Sequence, residues 1–78
     1  PNPFNPSTVI GYQLPVSSDV ILKVYDILGN EVATLIDEYR EAGKYQIEFN
    51  ATELASGVYF YQFRSGEYVS VKKMVLLR

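Results

Sequence analysis

The 78 residues contain no cysteine, no histidine and no tryptophan. Without cysteine the chain can form neither disulfides nor thiolate metal sites, and nothing in it reports a redox compartment. Without cysteine and histidine the common nucleophile–base pairs are missing; serine–lysine variants exist, but no motif here supports one. Basic residues are also few: seven Lys and Arg stand against nine Asp and Glu, a net charge of −2. That balance excludes the clustered cationic surface that nucleic acid requires. No apolar run approaches the ~20 residues that span a bilayer, so no membrane insertion of its own is expected, and no signal peptide opens the chain.

What is present is apolar and aromatic. Hydrophobic residues make up 47% and aromatics 14%, too rich a mixture for disorder. A chain of this length is one small domain that buries only about 60% of the surface its unfolded form exposes. Its core is expected to leave a margin of roughly 3–5 kcal/mol. The opening Pro1-Asn2-Pro3 reads as the middle of a longer protein, so the chain is expected to be an excised module.

The stretch Leu54–Arg64 organises the rest. Leu54 sits in a short turn, Gly57 breaks the chain direction, and Val58-Tyr59-Phe60-Tyr61-Gln62-Phe63 follows. Aromatic and β-branched residues in such density fit a pleated sheet, with Tyr59, Tyr61 and Phe63 on one face. A strand apolar on both faces is expected to be central. The Gly57–Tyr59 spacing also matches the tyrosine corner of immunoglobulin-like sandwiches, whose hydroxyl bonds upstream backbone.

Taken in order, residues 1–7 form a proline-rich lead-in that forbids helix, and residues 8–78 form the sandwich. Thr8–Leu14 alternates with Ile10, Tyr12 and Leu14 inward, and Val20–Tyr25 places Leu22 and Val24 inward. Asp26-Ile27-Leu28-Gly29 has Asp at the first and Gly at the fourth position of a type I turn, with Gly29 in the left-handed bulge position. The chain returns as Glu31–Ile36, whose inward face is ambiguous: Val32 and Ile36 compete with Ala33 and Leu35. Asp37–Ala42 is read as an exposed cross-over between sheets. Tyr45, Ile47 and Phe49 then give the clearest one-sided strand. Asn50–Glu53 resembles a capped helix start that yields one turn at most. Tyr68–Leu77 is the last strand, and Lys72-Lys73 within it marks either a bulge or an edge guarded by charge. The spacing of turn signals gives an all-β, immunoglobulin-like sandwich of about seven antiparallel strands.

No side-chain set stands out as catalytic. The carboxylates fall in turns or on outward strand positions, and general acid–base work needs a perturbed group in a cleft. Asp26, Asn30 and Glu31 could ligate a metal in principle, but the turn already accounts for Asp26. Of the seven tyrosines, alternation leaves Tyr25, Tyr39 and Tyr68 as surface rings that could serve a glycan platform.

Four stretches carry a resemblance over essentially the whole chain: Pro1-Asn2-Pro3-Phe4-Asn5-Pro6-Ser7-Thr8, Val24–Val32, Leu54–Tyr61 and Lys72-Lys73-Met74-Val75-Leu76-Leu77-Arg78. In this order they resemble the type A C-terminal sorting domain of type IX secretion cargo proteins. An immunoglobulin-like module of flagellar hook-capping proteins is similar. The resemblance implies a non-catalytic signal without a cofactor, covalently fused behind an N-terminal cargo domain. It implies passage through the periplasm to the cell surface or medium, with an outer-membrane translocon and a sortase-like peptidase as partners. It points to Lys72 through Arg78 as the recognised segment and to Pro1, Asn2, Pro3, Asp26, Gly29, Gly57 and Tyr59 as structural motif residues. The competing expectation is a structural or carbohydrate-binding accessory module that stays on a secreted enzyme.

Overall fold

Every alternating segment becomes a strand in the computed structural model, which describes residues 6–78. The lead-in positions Pro1, Asn2 and Pro3 lie outside the described residues. The strands are β1 (Ser7–Leu14), β2 (Ser18–Asp26), β3 (Glu31–Arg40), β4 (Gly43–Asn50), β5 (Gly57–Ser65) and β6 (Tyr68–Leu76). All pairings are antiparallel. A four-stranded sheet in the order β3-β2-β5-β6 faces a two-stranded sheet of β1 and β4.

β5 is central, paired with β2 on one side and β6 on the other. Its inward residues Tyr59 and Phe63 are buried, as are Leu22, Val24 and Val20 on β2 and Phe49 on β4, while Tyr61 and Ile47 pack half-buried against them. Each such side chain removed from water stabilises the fold by about 1.5–3 kcal/mol. β1 contributes Ile10 and Leu14.

Six strands form among the described residues where about seven were expected. Asp37–Ala42 is the main departure. Instead of looping between sheets, the chain stays in β3 as far as Arg40, because β2 begins at Ser18 and offers ladder partners to Glu38, Tyr39 and Arg40. The cross-over shrinks to Glu41 and Ala42, where the Ala42 amide donates to Ser17 Oγ and the Tyr45 hydroxyl donates to the Glu41 carbonyl at 2.6 Å.

The ambiguous face of β3 has a physical cause. The β2–β3 register shifts between Leu22 and Lys23 and again between Val24 and Tyr25, which leaves Leu35 and Val32 outside the one-to-one ladder. Each extra residue resets the alternation. As a result Ile36 is buried, while Val32, Ala33 and Leu35 all pack against the core. Both candidate faces are apolar because both are used.

Candidate functional site

The segments singled out by the sequence meet at one end of the sandwich. The β2–β3 turn closes beside the start of β5, with Asp26 opposite Tyr59, and β6 ends there with Met74 opposite Tyr59 and Leu76 opposite Gly57. The loop after β4 reaches the same end, where the Ala51 amide donates to the Pro6 carbonyl.

The turn is built around the Asp26 carboxylate. The Gly29 amide donates to the Asp26 carbonyl at 3.0 Å, and Gly29 takes φ +88°, a conformation that side chains with a Cβ resist. Asp26 Oδ1 accepts the amides of Leu28 and Asn30, each at 2.9 Å, and Oδ2 accepts from Asn30 Nδ2. These donors, the Asn30 amide first, hold the carboxyl below its ordinary range against a smaller opposing effect of burial. Glu31 is held low as well, first by the Thr34 hydroxyl and then by Lys23. Among the described residues no cluster of three or more acidic side chains is placed to hold a metal ion. The carboxylates that sequence put forward as ligands are occupied with the turn and with Thr34 and Lys23.

Gly57 opens β5 at φ +153°, and two residues on, the Tyr59 hydroxyl donates to the Ala55 carbonyl at 2.7 Å. This is the upstream bond that the Gly57–Tyr59 spacing predicts, and it pins the short turn over Ala51–Leu54 to the sheet. That turn holds one bend, in which the Leu54 amide reaches the Ala51 carbonyl.

The C-terminal segment divides by role. Met74 and Leu76 are among the most buried side chains, at 1% and 0% exposure. Leu77 is exposed at 51%. Arg78 is tied back: its Nη1 donates to the carbonyls of Thr52 (2.6 Å), Leu54 (2.8 Å) and Ala51 (3.2 Å), and its amide donates to Ser56 Oγ. Lys72 and Lys73 do not form one patch. Lys72 lies opposite Tyr61 in the inward row and Lys73 opposite Phe60 in the outward row. The β5–β6 register runs without a shift, so the lysines mark a charged edge strand and not a bulge. The arginine clamp escaped sequence reading, since nothing in a lone terminal arginine announces three backbone carbonyls. Met74 and Leu76, which the sequence reading put in the recognised segment and not in the core, fall in the row facing the aromatic side of β5 and are buried there.

A family model described as the secretion system C-terminal sorting domain matches residues 1–77. The chain belongs to that family. The sorting domain is therefore a sorting signal of type IX secretion, a class that directs export toward the cell surface or the medium. No curated protein matches the sorting domain. Its convergent end unites three of the four segments that carried the resemblance, the turn, the tyrosine corner and the terminal strand.

The glycan platform finds little footing. Tyr25 and Tyr39 sit toward opposite ends of β2–β3, and Tyr68 belongs to the inward row against Phe63, 6.3 Å between ring centroids. The three rings share no face.

Proposed function

We propose that this domain is a non-catalytic export signal that carries an N-terminally fused cargo from the periplasm through the outer-membrane type IX translocon to the cell surface. A sortase-like peptidase then acts on the fused protein. The observation that carries this reading is the family match over residues 1–77. What supports the choice of surface is the sorting of the terminal segment into buried and exposed residues. With Met74 and Leu76 in the core and Arg78 clamped to the 51–54 turn, a receptor that meets the folded domain reads Lys72, Lys73 and Leu77.

The test is a fusion of the domain behind a periplasmic reporter in a host with the type IX machinery. Export of the reporter is expected. Exposed charges contribute about 0–1 kcal/mol to stability, so Lys72→Ala with Lys73→Ala should keep the thermal midpoint. The same variant should export poorly, because a receptor reading complementary charge loses association rate when it is removed. A wild-type fusion that stays periplasmic refutes the export reading, and binding of the isolated domain to a polysaccharide array favours an accessory module. Normal export of the folded double variant moves the recognised feature to the Asp26–Gly29 turn.

A further inference from the structure

Among the described residues the small sheet has two strands and the sheet it faces has four. Among those residues β1 and β4 form the whole of it, and β1 pairs only with β4 along its full length. The inward row of β6 consequently has little over it at its first half: Tyr68 is 62% exposed, and Ser70 and Lys72 line an open groove instead of a core.

That groove runs beside the unpaired side of β1. The consecutive residues Ile10, Gly11, Tyr12 and Gln13 all line it. Successive side chains of a strand point to opposite faces, so a wall made of four in a row is the edge of the strand, with its backbone amides and carbonyls. The floor is Tyr61 and Phe63, and the groove widens past Phe63 and Tyr68 into an apolar hollow of about 550 Å³ under Leu14, Pro15 and Val16. Lys72 is the one charged residue along both parts. Tyr12, whose ring stacks on Tyr45 and lies tilted against Phe63, keeps its hydroxyl oxygen buried without a hydrogen-bond partner among the described residues.

We propose that this groove is a docking site for an extended, acidic segment of a partner polypeptide, which adds to β1 as a third strand and covers the inward row of β6. Strand addition supplies main-chain hydrogen bonds from the exposed edge and takes alternate side chains into pockets. The wide hollow accepts a large apolar side chain. A carboxylate two or more residues along meets Lys72. A backbone edge favours polypeptide over sugar, and the single positive charge favours an acidic segment over a basic one. The groove lies away from the convergent end and shares only Lys72 with the export reading, and peptide binding to the isolated domain tests it without any readout of export.

The probe is a panel of blocked alternating heptapeptides, each with Phe, Leu, Val or Tyr at one inward position and Asp at another, with matched peptides carrying Lys in place of Asp. Binding to the intact domain is followed by amide chemical shifts. At least one Asp peptide should shift the amides of residues 10–14 and 70–72. Its affinity should fall about tenfold for Lys72→Glu, since opposed charges across strands attract and like charges repel. Thermal unfolding of Lys72→Glu, an exposed position, checks that the variant folds, and the Lys peptide on wild-type domain tests the same charge without any mutation. No shift with any Asp peptide overturns the proposal, and so does equal binding of the Asp and Lys peptides. Concentration-dependent self-association that protects residues 10–14 assigns the edge to a second copy and also overturns it.

Discussion

The two halves of β6 differ more from one another than most strands differ within this fold. Its second half puts the inward Met74 and Leu76 in the centre of the core, whereas in its first half the inward Tyr68 is 62% exposed and Ser70 and Lys72 line an open groove. Sequence composition hardly separates them, since both are rich in apolar residues. What separates them is the layer opposite: at one end the β4–β5 loop with Ala51 and Leu54 closes over the sheet, and at the other the small sheet stops at β1. Exposure of the inward row of β6 is therefore set by the width of its facing sheet, not by the strand.

The largest test of this contrast is Leu76→Ala. Emptying a fully buried leucine site should cost about 2–5 kcal/mol, comparable with the whole margin of a domain this small, roughly 3–5 kcal/mol. Thermal or urea unfolding should show a midpoint near or below ambient conditions. At the same end, Gly29→Ala should cost about 1 kcal/mol or more. The added methyl meets nothing within 4 Å, so the cost measured by denaturant titration is that of the left-handed backbone alone.

Asp26→Asn sharpens the contrast through pH. In the unfolded chain an aspartate takes up its proton near pH 3.9, while the folded turn holds Asp26 lower. As pH falls below about 4 the unfolded state binds the proton first, so the stability contributed by Asp26 is present above that range and lost as pH drops toward the folded value. The variant should show a shallower fall of thermal midpoint in acid than the wild type. The smallest effect belongs to the open half: Lys72→Thr, at an inward but exposed position, should change stability by no more than about 0.5 kcal/mol in either direction. A loss as large as that of Leu76→Ala would mean that the first half of β6 is buried after all.

Much of this architecture was legible in the sequence. Period-two patterning located the six segments that became strands, and the Asp26–Gly29 and Gly57–Tyr59 spacings carried their local geometry because each rests on a short-range backbone constraint. The extent of β3 was not legible, since Asp37–Arg40 is polar on both faces and is held in the ladder by β2 rather than by its own side chains. Nor was its inward face, because bulges at Val32 and Leu35 break the period that alternation relies on. The candidate site divided the same way. Lys72 and Lys73 were found as a charged pair, but adjacent residues on a strand point to opposite faces, so the pair is one cation at the groove and one on the outer surface. The Arg78 clamp depends on carbonyls more than twenty residues earlier, a distance at which no local pattern operates.

The burial of Met74 and Leu76 also bears on when the domain can exist at all. The core is closed by side chains from its last strand, so a nascent chain that stalls before Leu76, or one trimmed back past it, lacks residues it cannot replace from elsewhere. β5 would then lose the neighbour that covers one of its edges, and the aromatic row of Tyr59, Tyr61 and Phe63 would be left short of partners. Folding of the domain in this way requires its last strand: any machinery that engages only the folded form engages only chains that reach through Leu76.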